Sequence, residues 1–143
     1  DVLFAEACIT SSHGHPLGIA LASSKAAGME VEPDEFRNKS FWSIDSQADL
    51  DLRWPQIAES QTTLVKVILI DAENHAANSS DPDLFGYNGI DPALLPEIVS
   101  RSHAMGARVA VHVDTARDFA IAVAAGADMI AHLPGYRIAK GKV

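Results

Sequence analysis

The sequence predicts an α/β fold built on a parallel sheet, and three observations carry that expectation. The first is the stretch from Gly106 to Gly135, GARVAVHVDTARDFAIAVAAGADMIAHLPG, which reads as strand, helix, strand. The second is the run Leu64–Ile70, LVKVILI, the clearest strand in the chain. The third is the alternation of such runs with helix-forming segments along the whole sequence. A strand–helix–strand unit with few polar residues in its strands is a right-handed crossover between parallel neighbours. Side chains at the carboxyl ends of such strands carry the chemistry. His112 and His132 stand at those ends, one unit apart.

Asp1–Thr10 is a mixed apolar run, read as the first strand. Ser11–Gly18, SSHGHPLG, is a loop carrying His13 and His15. An H-x-H pair in an extended chain can bind metal, but these flanks are those of a loop. That leaves a polar surface loop, or a loop over a site with a histidine reaching a substrate. Ile19–Gly28 is a short helix stopped by glycine, and Met29–Asp45 reads as an irregular connection. Asp45–Ser60 is a helix and its approach, with Pro55 placing the start near Trp54 or kinking the helix there. Trp42 and Trp54 are read as packing residues.

Lys66 is the anomaly within LVKVILI. A desolvated ammonium is pushed toward the neutral amine. Three readings are open: it snorkels to the strand end, it pairs with a carboxylate such as Asp71, or it is chemically used. Asp71–Gly89 is a long polar loop of the kind that forms lids or binding loops. Asp91 caps the next helix, with Pro92 in its first turn and an apolar face of Leu94, Leu95, Ile98 and Val99. His103 near its C-terminus is accounted for by the helix dipole. Arg108–Val113 is a strand, Thr115–Ala125 an alanine-rich helix with Asp114 or Thr115 as cap, and Asp128–His132 a final strand. The basic tail Tyr136–Val143 has no clear pattern.

Alternation along strands puts Arg108, Ala110 and His112 on one face, and Asp128, Ile130 and His132 on one face of the next strand. Either histidine alone reads as an ordinary satisfied side chain. Their matched positions favour a shared site.

Composition narrows the classes. With 143 residues, 48% hydrophobic and 21% charged, the chain suits one globular domain over residues 1–143. A formal net charge of −8, with no basic cluster to offset it, argues against a nucleic-acid partner. No apolar run approaches the ~20 residues that span a bilayer. The lone Cys8 excludes an internal disulfide and a cysteine zinc cage. No signal peptide is visible, although the chain opens at Asp1 without a methionine, and a cytoplasmic location is expected.

Lys66 in LVKVILI, His112 in VAVHV and His132 in MIAHLPG together resemble the amidohydrolase superfamily of metal-dependent hydrolases. The likeness is to its imidazolonepropionase-like and Xaa-Pro-dipeptidase-like branch. It is best from Leu64 to Gly135, fair around ITSSHGHP and poor from Met29 to Leu52. It implies a partial TIM (β/α)8 barrel of about four parallel strands, corresponding to barrel strands three to six. It also implies zinc, one or two ions in the parent protein, held by Lys66, His112 and His132, with Lys66 as a carboxylated bridge. His13 or His15 would lie near a small-molecule or dipeptide-like substrate, and the reaction would be hydrolysis of a C–N bond. The family's first-strand H-x-H would lie upstream of this chain and its eighth-strand aspartate downstream. The chain is therefore expected to be the middle of a barrel and inactive alone. The other reading is a catalytically silent fragment or binding module with structural lysine and histidines. Open edges on such a sheet lead to an expected homo-oligomer.

Overall fold

The computed structural model describes Ala5 and residues 7–132. The predicted strand residues before Cys8, the Leu133-Pro134-Gly135 turn and the basic tail lie wholly or largely outside them. Five strands form one sheet: β1 Cys8–Thr10, β2 Phe41–Ser43, β3 Leu64–Ile68, β4 Arg108–His112 and β5 Met129–Ile130. Every pairing is parallel, and the order is β2-β1-β3-β4-β5. The four anticipated strands are therefore neighbours in chain order. The fifth, β2, lies in the stretch read as irregular and is added beside β1.

β2 gives no signal in the sequence because three residues are too few to show a period. It is set up by a turn. Asn38, at φ 55°, donates its N–H to the Phe41 carbonyl at 2.7 Å and accepts the Ser43 N–H on its side chain at 3.0 Å.

The helices are α1 Leu17–Ala26, α2 Gln47–Glu59, α3 His75–Asn78, α4 Leu95–Ala104 and α5 Ala116–Ala124. α2 starts at Gln47, well before Trp54, because Ser46 caps it: the Asp49 N–H donates to Ser46 Oγ. The cap sets the helix start, and Pro55 sits inside α2 without ending it. α5 opens on a capping box, with Thr115 accepting from the Asp118 N–H and the Asp118 carboxylate accepting from the Thr115 N–H. Among the described residues, no helix is long and apolar enough to cross a membrane.

One face of the sheet carries the main core. Ile9, Val65, Val67, Val109 and Val111 point to it and pack with Leu50 and Ile57 of α2, Leu95, Ile98 and Val99 of α4, and Ala122 of α5. Trp42 and Trp54 pack against the same cluster, as the sequence suggested. The residues between them, Cys8, Thr10, Lys66, Ile68, Ala110 and His112, turn to the opposite face. This is the alternation of an extended chain, and it fixes where the polar residues of β3 and β4 go.

Candidate functional site

Strand register sets the site. Lys66 pairs with Ala110, and Ile68 with His112. Lys66 and His112 thus share the face away from the helical layer, two residues apart in height. Cys8, which precedes the Ile9 that pairs with Val67, lies beside Lys66. Lys66 makes no ion pair among the described residues. Asp71, the carboxylate considered for it, instead accepts from the Asn74 and Asn78 side-chain amides at 3.0 Å each. Burial lowers the Lys66 ammonium below its ordinary range, with the nearby Cys8 opposing the shift, and burial raises the Cys8 thiol.

The matched-face expectation for β5 is corrected by the register. Ala110 pairs with Met129 and Val111 with Ile130, so Ile130 turns toward the helical core. β5 ends at Ile130, and strict alternation does not govern the residues beyond it. The chain bends there, and His132 still reaches His112: the two rings meet edge to face at 4.3 Å between centroids, with His132 Nε2 at 2.7 Å from His112 Nδ1. One ring donates and the other accepts.

The β1 loop brings in a third imidazole. The His15 N–H donates to the Asn88 carbonyl at 2.7 Å, which ties this loop to the one after β3. His15 then stacks on His112, centroids 5.4 Å apart and planes 25° from parallel. Asp114 Oδ1 stands 3.5 Å from His112 Nε2, a charge neighbour at the long limit of a hydrogen bond. His13 goes elsewhere. It is exposed and packs against Phe85, 5.2 Å between centroids. The two histidines of H-x-H are therefore divided between two places.

Electrostatics keep His112 uncharged at neutral pH. Burial, then the neighbouring His132 and His15 rings, lower the His112 pKa to about 4, with Asp114 opposing. Burial also lowers His15. The sign of the consequence comes from linkage. An unfolded chain takes up a proton at His112 near its ordinary 6.5, and the folded chain does so only near 4. This contribution to stability is whole above pH 6.5 and is lost as pH falls from 6.5 toward 4. Thermal unfolding in a metal chelator should show the midpoint falling across that window. His112→Gln should flatten the fall, and an unchanged slope in the variant would assign it to other groups.

Asp118 is a positioning residue that the sequence did not single out. It is fully buried. Its Oδ1 accepts the Ala72 N–H at 2.8 Å, and its Oδ2 accepts the N–H groups of Asp71, Asp114 and Thr115 at 3.0, 3.1 and 2.9 Å. One carboxylate thereby clamps the loops leaving β3 and β4, and with them Asp114 beside His112. The T-x-x-D spacing of Thr115 and Asp118 signals the capping box. Nothing local signals the reach to Asp71.

The donors suit a divalent metal in their chemistry: imidazole nitrogens, that of His112 neutral at neutral pH, and an amine displaced toward its neutral form. Their arrangement is that of hydrogen-bonded rings. Two nitrogens on one tetrahedral zinc stand about 3.3 Å apart, and at 2.7 Å these two share a proton instead. Among the described residues, no group of three or more His, Cys, Asp or Glu side chains is set to hold an ion. No family model, curated protein or solved structure matches the chain.

Proposed function

We propose that this chain is the middle of an amidohydrolase-like hydrolase, barrel strands three to six of a (β/α)8 fold. Lys66, His112 and His132 would be ligands of a catalytic zinc, and the reaction would be cleavage of a C–N bond in an amide, dipeptide or cyclic amide. The observation that carries the reading is the contact of His112, at the end of β4, with His132, just past β5, together with the half-buried Lys66 of mid-β3, which shares the His112 face two residues lower. A zinc held there would lower the pKa of a bound water toward neutrality.

The chain's own residues have defined parts in this reading. The depressed pKa of His112 keeps a lone pair open at neutral pH. Burial displaces Lys66 toward the amine, the form that would add to carbon dioxide and lose a proton to give a carbamate, an anionic two-oxygen ligand. His15, stacked on His112, would be the group that touches a substrate. Asp118 holds the two loops so that these side chains meet.

Zinc binding tests the proposal. The full chain, dialysed against zinc and analysed for metal, is expected to retain about one ion, and His112→Ala and His132→Ala should each weaken binding at least about 100-fold. Far-ultraviolet circular dichroism of the variants checks that they remain folded. A wild-type chain that retains no zinc would overturn the reading. The mutual hydrogen bond of His112 and His132 would then be a structural contact.

A further inference from the structure

β5 is two residues long and lies at one end of the sheet order. On either side of it, the Asp128 N–H donates to the Val109 carbonyl at 3.0 Å and the Ala131 N–H to the Val111 carbonyl at 2.9 Å. A residue in a parallel strand turns its N–H the same way as its carbonyl, so the Val109 N–H also needs an acceptor on this side. The chain arriving from α5 supplies a side chain in place of a carbonyl: Asp128 Oδ2 accepts the Val109 N–H at 2.7 Å. The same oxygen meets His103 Nε2 at 2.9 Å. His103 stands in the last turn of α4. One oxygen atom therefore joins α4, β4 and the entry to β5, and His132 follows two residues after that strand.

The His103 bond has two strengths. A neutral imidazole donates one N–H. An imidazolium adds a charge, and a charge-assisted hydrogen bond is about twice as strong as a neutral one. Histidine is the side chain that makes this change between about pH 5 and pH 8. Asp128 stays an anion over that range: the His103 bond, then the Val109 N–H, hold its carboxyl below the ordinary range, and the positive charge of Arg108 on β4 adds to them. The other base in the last turn of α4, Arg101, is bonded to Glu97 and Asp51. Residues 123–127 at the end of α5 and 62–65 at the start of β3 carry no charge. Both partners are partly exposed, 44% for His103 and 33% for Asp128. Solvent and salt therefore screen the pair, and its effect falls on the local seating of a short strand more than on global stability.

We propose that His103 and Asp128 form a proton-dependent latch that seats β5 on β4 and thereby holds His132 beside His112. Protonation of His103 tightens the latch. The sign follows from linkage: the seated strand favours the imidazolium, so seating is tightest below the titration of His103 and weakens as pH rises through it. The latch concerns how β5 is held, and it stands whether or not zinc binds the histidines.

Hydrogen exchange of the full chain in a metal chelator, followed by nuclear magnetic resonance, tests it. The measure is the protection of the Asp128 and Ala131 amides relative to the Val67 amide of the sheet interior. In the wild type this ratio should rise at least about threefold from about pH 8 to about pH 5.5. His103→Gln keeps an N–H donor that gains no proton, and Asp128→Asn keeps an oxygen for Val109 without the charge. Each should abolish the rise. Added salt should shrink it in the wild type, a reading that needs no substitution. At a fixed neutral pH, Asp128→Ala should weaken the cross-relaxation between the His132 and His112 rings. A wild-type ratio that stays level or falls in acid, a rise that survives both substitutions, or a rise indifferent to salt would each overturn the latch. Unchanged ring cross-relaxation in Asp128→Ala would overturn its reach to His132.

Discussion

Asp118→Ala is expected to destabilise the protein by about 3–5 kcal/mol, a large share of a typical domain's stability. The side chain is fully buried and is the acceptor for four backbone N–H groups from two loops. Removing it leaves those donors with no partner, and the loss is the desolvation cost of several groups at once, beyond one hydrogen bond. Water entering the space would recover part of this, which sets the lower figure. Urea unfolding followed by tryptophan fluorescence reads the change as a lowered midpoint at unchanged slope. The same substitution frees the loop that carries Asp114, so the His112 and His132 ring signals should broaden or move. A loss below about 1 kcal/mol would mean that the loops do not depend on this carboxylate.

Gly86→Ala should cost about 3–4 kcal/mol, from two separable causes. Gly86 has φ of +83°, which an L side chain adopts at a cost of about 1 kcal/mol or more. A Cβ there would also lie 2.5 Å from the Gly18 nitrogen and 2.6 Å from its Cα, and backbone cannot give way as a side chain does. The contact has a purpose. Gly86 donates its N–H to the His13 carbonyl at 2.7 Å and accepts the Gly18 N–H at 2.9 Å, fastening the long loop to both ends of the β1 loop. Gly28 is the internal control. It has φ of +74° with nothing within 4 Å of a built Cβ, so Gly28→Ala carries the conformational cost alone, about 1 kcal/mol. Equal unfolding midpoints for the two variants would show that the loop yields and that the close approach is not needed.

The extent to which the sequence discloses this architecture differs by element, and the reasons are physical. β3 and β4 are legible because five-residue apolar runs with breakers at each end have no other use in a chain of this size. Thr115 and Gly126 bound α5 for the same reason, a cap and a left-handed stop being local chemistry. β2 is not legible, since three residues hold no period and its place beside β1 is decided by a partner in another part of the chain. The start of α2 goes to the Ser46 cap over the Pro55 signal.

At the site, period-two alternation groups Ala110 and His112 on one face of β4, and the register with β3 adds Lys66 to that face. The same rule misplaces Ile130, because the pairing of β5 to β4 is offset by one from the assumed match. His132 reaches His112 through a bend after the strand, and alternation says nothing about a chain once it has left the ladder.

The sequence by itself determined the class of fold, the boundaries of its strong elements and which residues are chemically unusual. Those depend on spacing, propensity and the cost of burying a charge, all of which act within a few residues. Tertiary structure alone decided that β2 joins the sheet, that His13 and His15 part company, and that Asp118 serves two loops. It also opened a polar cleft between the loops that follow β1, β2 and β3. Each of these depends on groups distant in sequence competing for the same neighbours, and only the folded chain settles that competition.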